Sequence, residues 1–137
     1  MITEVEAYAG PDDRASHTSR GRTKRTEVMF GPAGHWYVYL VYGMHYCLNI
    51  VTERKGYPAA VLIRAVAADG VIGPGKVCRY FKINRQLNQK PATWASGLWI
   101  EDRGIKINPR GVMRGRRVGV DYAGKWRDKK WRFSIAA

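Results

Sequence analysis

WYVYLVYGMHYCLNIV, residues 36–51, is one of the least polar stretches of a strongly basic chain. β-Branched and aromatic residues dominate it, and Gly43 interrupts it. It therefore reads as two antiparallel strands, 36–42 and 45–52, joined by a tight turn. Alternation puts Tyr37, Tyr39 and Val41 on one face and Trp36, Val38, Leu40 and Tyr42 on the other.

The flanking sequence extends this hairpin into a sheet. ITEVEAY, ending near Tyr8, reads as a strand, and AAVLIRAV (59–66) is apolar enough to be a central one. Between the first strand and the hairpin lies a polar loop, 10–26, then a short apolar run and a Gly/Pro turn, 28–35. After the break DGVIGPG, the segment KVCRYFKI (76–83) reads as a short helix with Val77, Tyr80 and Phe81 at helical spacing. GLWIEDRGIKI (97–107) suggests two short strands around a turn at 102–104, and RRVGV (116–120) and KWRFSIA (130–136) read as closing strands. The sum is one α+β domain spanning 1–137: a mostly antiparallel curved sheet with a protruding hairpin and few short helices. A chain of 137 residues is long enough for one such core.

Lys plus Arg number 24 against 11 Asp plus Glu, a formal net charge of +13. Such a surplus points to a polyanion, nucleic acid first and an acidic membrane second, and the many aromatics favour nucleic acid. Arg103 to Arg132 holds 11 basic residues and two acidic ones, so it is expected to line the partner site, with Arg110 and Arg117 as candidate phosphate contacts. No apolar run reaches the ~18 residues of a membrane span. The N-terminus lacks the order of a signal peptide. Cys47 and Cys78 read as buried free thiols, which fits a reducing compartment. His17, His35 and His45 are not spaced as a metal cluster.

Several polar residues stand out against this background. Glu4, Glu6 and Tyr8 share one face of the first strand. The two carboxylates are either surface salt-bridge partners or, if they lie in a DNA-binding cleft, groups with a chemical purpose, because they would otherwise repel phosphate. Asn49 and Arg64 sit in apolar strands. A buried arginine must be paired, and Glu6 would serve. Tyr42 abuts the turn, where burial is hardest. It either folds back onto the sheet or acts as a wedge that enters a base stack.

Residues 5–51, VEAYAGPDDRASHTSRGRTKRTEVMFGPAGHWYVYLVYGMHYCLNIV, closely resemble the alkyladenine (3-methyladenine) DNA glycosylase family. VLIRAV, GPGKVC, KIN and RVGVDYAGKWRDKKWRFSI recur there in the same order. The resemblance implies a monofunctional enzyme that flips alkylated or deaminated purines out of duplex DNA and hydrolyses the N-glycosidic bond, starting base excision repair. The substrates implied are 3-methyladenine and 7-methylguanine, with hypoxanthine and ethenoadenine as further candidates. Glu6 matches the general base that activates water. Arg64 and the Val118 carbonyl match groups that hold that water. Tyr8, His17 and Tyr39 match the walls of the base pocket, and Asn49 the residue that obstructs the guanine 2-amino group. Tyr42 matches the intercalating residue, with Met44 beside it.

The resemblance implies no metal or organic cofactor, no membrane, and no obligate protein partner: a monomer acting on damaged duplex DNA. Its compartment would be the cytoplasm or nucleoid of a bacterium, or a eukaryotic nucleus. No matched pocket position is lysine, so lyase chemistry through an amine is not expected. The chain departs from the family pattern in four places. It begins almost at the catalytic strand, 67–72 replaces a longer segment, Lys24 and Thr26 stand where Pro and Asn are common, and it stops soon after WRFSI. A shortened glycosylase domain is therefore expected. Two rivals use the same features without catalysis: a nucleic-acid-binding module relying on basic surface and stacking, and a basic RNA-binding β-domain with Tyr39 and Tyr42 as platforms. Glu6 separates them, because neither needs it.

Overall fold

The 36–51 hairpin forms as its composition predicts. In the computed structural model, which describes residues 1–136, β2 (Trp36–Val41) pairs antiparallel with β3 (His45–Val51). β3 continues onto β4 (Ala59–Val66), and β4 onto β1 (Ile2–Ala9). Two short strands, β5 (Met113–Gly115) and β6 (Arg132–Ser134), complete one six-stranded antiparallel sheet in the order β2-β3-β4-β1-β6-β5.

Alternation divides the sheet into two faces with different jobs. On one, Trp36, Val38, Leu48 and Ile63 pack against Val71, Val77, Cys78 and Ile83. On the other, Tyr37, Val51 and Ala60 pack against Val28 and Met29 of the loop that precedes the hairpin, with Tyr39 alongside. Cys47 and Cys78 are both buried free thiols. No helix among the described residues is long and apolar enough to cross a membrane.

The helix is displaced from its expected position. α1 runs Pro74–Tyr80, started by proline in its first turn, where a missing N–H costs nothing. It ends before Lys82, whose φ of 55° leaves the helical region, and the Ile83 N–H closes it on the Cys78 carbonyl at 2.8 Å. Cys78 therefore shares the inner face with Val77, while Tyr80 and Phe81 are exposed. The short interval 67–72 is a tight turn that leads β4 straight into α1, with the Gly73 N–H bonded to the Arg64 carbonyl at 2.7 Å.

Two strand expectations are corrected. Segment 97–107 forms the turn, with the Gly104 N–H on Asp102 Oδ1 at 2.8 Å, but no strand on either side. The outer edge of β2 is already taken: Trp36 exchanges hydrogen bonds with Lys90 and Gln89, and the Val38 N–H bonds Asn88 Oδ1 at 2.9 Å. RRVGV is likewise not a strand; β5 lies just before it. There the chain turns Arg117 inward and passes through Gly119 at a φ of 74°.

Candidate active site

Register assembles the site. Tyr37 lies opposite Asn49, Asn49 opposite Leu62, and Leu62 opposite Glu6. Directly opposed residues point the same way, so these four form one row on the face away from α1. Two residues along, Tyr39, Cys47, Arg64 and Tyr8 flank that row. Together with the 15–17 loop, Arg25, residues 118–120 and Tyr122 they enclose a cleft of about 460 Å³.

Glu6 borders this cleft yet is 0% exposed. Its Oε2 accepts the Val118 N–H at 2.7 Å, and its Oε1 accepts the Tyr8 hydroxyl at 3.0 Å. Arg64 Nε is 3.8 Å from Glu6 Oε2 but donates at 2.7 Å to Glu4 Oε1. Arg64, half-buried, is thus paired as expected, though its nearer partner is Glu4. Burial, then the Glu6 charge, raises the Tyr8 hydroxyl well above its ordinary range, so it stays a donor to Glu6. The bond that Val118 makes to Glu6 comes from its amide; the carbonyl singled out above belongs to the same turn.

An aromatic cluster forms one wall. The His17 ring packs edge-on against Tyr39, centroids 4.5 Å apart, and its Nδ1 is 3.2 Å from the Tyr37 hydroxyl. Tyr37 and Tyr39 are tilted against each other at 5.3 Å. His17 as a residue is exposed, but desolvation of its ring against the tyrosines and the neighbouring Arg25 charge lower its pKa from the ordinary 6.5 to about 4, so the ring is neutral at pH 7. Burial pushes the Tyr37 hydroxyl up to about 12. Asn49 is buried, with Nδ2 donating to the Tyr37 carbonyl at 3.3 Å.

The hairpin tip stands at the rim. The Met44 N–H closes the turn on the Val41 carbonyl at 2.8 Å, with positive φ at both Tyr42 (49°) and Gly43 (66°). Such a φ is uncommon for tyrosine and strained. Tyr42 is 93% exposed and Met44 81%. The side chain does not fold back on the sheet.

Three site residues escape a reading of the sequence. Asp13 and Arg117 form a fully buried bidentate pair. Arg117 is therefore not a phosphate contact, contrary to its place in the basic stretch. Asp13 also accepts the Ala9 and Ala15 N–H groups at 3.1 Å each, and Arg117 donates to the Ala7 carbonyl at 2.9 Å. The pair ties the 10–16 loop and the 116–120 turn to β1, which carries the Val118 amide to Glu6. Arg25 lines the cleft, with its guanidinium 5.2 Å from the Tyr39 ring centroid. Its only signal was membership of a polar basic loop. Among the described residues no three His, Cys, Asp or Glu side chains are grouped to hold a metal ion.

A family model described as methylpurine-DNA glycosylase matches the chain over residues 1–72 and 67–137, its two segments meeting at the tight turn between β4 and α1. A protein of Anaeromyxobacter dehalogenans is 47% identical over 98% of the chain, which spans 66% of that relative's length. Proteins of Rickettsia felis and Rickettsia peacockii are each 46% identical over 98% of the chain, which spans 76% and 73% of their lengths. All three carry the name "Putative 3-methyladenine DNA glycosylase". A family model matched from end to end and relatives at nearly half identity lead to one conclusion: the chain belongs to the methylpurine-DNA glycosylase family of enzymes.

Proposed function

We propose that this protein extrudes damaged purines, alkylated ones such as 3-methyladenine and 7-methylguanine or deaminated ones such as hypoxanthine, and cleaves their N-glycosidic bond with a water activated by Glu6. One observation carries the reading: a carboxylate with no exposed surface at the bottom of an aromatic cleft in a chain of net charge +13. Electrostatics alone would remove a negative charge from a DNA-binding cleft. Its retention, with both oxygens held, supports a chemical role.

A glycosidic bond inside a duplex is out of reach, so the nucleotide must leave the stack, at a cost of a few kcal/mol. Tyr42, already strained and exposed at the rim, is suited to fill the gap, and an aromatic–base stack offsets about 1–3 kcal/mol. The flipped purine would stand between Tyr8 and the Tyr39–His17 wall, and the Asn49 amide would clash with the 2-amino group of guanine. A water between Glu6 and C1′ then gives its proton to the carboxylate as its oxygen bonds C1′. The C1′–N9 electron pair leaves with the base, producing free purine and an abasic site. No lysine is among the residues that line the cleft, which supports water over an amine as nucleophile.

Single-turnover base release from duplexes carrying one defined lesion tests this. Glu6→Gln keeps the shape of the site, with its amide oxygen still able to accept the Val118 N–H and its NH2 able to donate to the Tyr8 oxygen, and should slow release by at least ~10²-fold, with binding to damaged duplex retained or tightened. Release at the parent rate would overturn the mechanism.

A further inference from the structure

Arg25 borders the cleft, and nothing in the hydrolysis above uses it. Its guanidinium stands against Tyr39 at 5.2 Å. The other arginine that lines the cleft, Arg64, is compensated by Glu4, and Arg117 behind it by Asp13. Among the described residues no carboxylate lies within 4.0 Å of Arg25. Its charge is felt across the wall, since it lowers the His17 pKa and opposes the rise that burial imposes on the Tyr37 hydroxyl.

An uncompensated cation beside the base acts oppositely on two kinds of lesion. A purine methylated on a ring nitrogen is already cationic and leaves as a neutral base. It gains from aromatic walls by cation–π attraction. Here that attraction is already engaged: Arg25 stands over Tyr39, and Arg117 over Tyr8 at 4.9 Å. Arg117 is neutralised by Asp13, so the remaining repulsion on a cationic base comes from Arg25. A neutral purine such as hypoxanthine must instead carry away the C1′–N9 electron pair as an anion, before taking a proton from solvent. A fixed cation nearby stabilises that developing charge.

On the reading that the chain is a glycosylase, we infer that Arg25 is a specificity-determining residue, favouring release of neutral purine lesions and disfavouring cationic ones. The test is single-turnover release at saturating protein from two duplexes that differ only in the lesion, hypoxanthine or 7-methylguanine, by the parent, Arg25→Gln and Arg25→Lys. Arg25 is exposed, so both variants should fold. Arg25→Gln should slow hypoxanthine release about 10-fold, less than the ~10²–10³-fold of a donor bonded directly to a developing anion because Arg25 is exposed to solvent, while 7-methylguanine release holds or rises. Arg25→Lys, which keeps the charge, should restore most of the hypoxanthine rate. Equal slowing on both lesions, with a shallower salt dependence of binding, would make Arg25 a phosphate contact and overturn the inference. Unchanged rates on both lesions would overturn it as well. If the parent releases neither base, the glycosylase reading itself falls, a result separable from either of these.

Discussion

Arg117 and Asp13 meet through two hydrogen bonds, at 2.5 and 2.9 Å, with both side chains 0% exposed. The guanidinium is sandwiched between the Tyr8 and Trp131 rings at 4.9 and 5.0 Å. This pair is the clamp that sets the Val118 amide on Glu6, and it suggests the first expectation.

Asp13→Ala leaves a buried guanidinium without its counter-charge. It should destabilise the fold by about 3–5 kcal/mol, the cost of removing one partner from a buried pair. Arg117→Met alone should cost a similar amount. The double variant Asp13→Ala with Arg117→Met should lose less than the sum of the two, because no charge is then stranded. Urea denaturation of the four proteins checks this; additive losses in the double variant would mean that the two residues act independently.

Asn49 presents its amide at the cleft, anchored to the Tyr37 carbonyl. Asn49→Ser removes the amide and opens room for a 2-amino group. The lost hydrogen bond should cost about 1 kcal/mol of stability, while release of undamaged guanine from normal DNA rises. No gain in guanine release would make Asn49 a purely structural residue.

Tyr42 offers a test in which stability and function move apart. Tyr42→Gly relieves a positive φ and should raise stability by up to about 1 kcal/mol. It should also weaken the extruded state by about 1–3 kcal/mol through loss of the stack. Tyr42→Ser should weaken that state by the same amount, without the gain in stability. Salt dependence should stay as in the parent, because no phosphate contact is removed. Fluorescence of a reporter base beside the lesion reads the flipping directly, and undiminished flipping in both variants would exclude the wedge.

His17 should make stability depend on pH in a defined window. Its folded pKa is depressed to about 4 from 6.5, so the unfolded chain binds more protons between those values. The contribution is fully present above pH 6.5 and is lost as pH falls toward 4. His17→Gln should flatten the melting temperature of the protein over that range relative to the parent. Parallel curves for the two proteins would show that the ring is not held neutral.

The 36–51 hairpin was legible because its pattern is local. Period-2 alternation and β-branched content belong to neighbouring residues, and they specified both the strands and the two faces. The same held for the shared face of Glu4, Glu6 and Tyr8, all touching or near Arg64 or one another in the fold. The row Tyr37–Asn49–Leu62–Glu6 depended on register between four strands, which is a property of packing and not of any one segment. Segment 97–107 had strand composition but did not join the sheet, and 88–90 occupy the outer edge of β2. Most instructive are the arginines. Composition counts Arg25 and Arg117 alike as positive charge, and it made Arg117 a candidate phosphate contact. Folding buries one against an aspartate 104 positions away and leaves the other uncompensated beside Tyr39. A charge is a property of the residue, but its solvation and its partners exist only once distant parts of the chain meet.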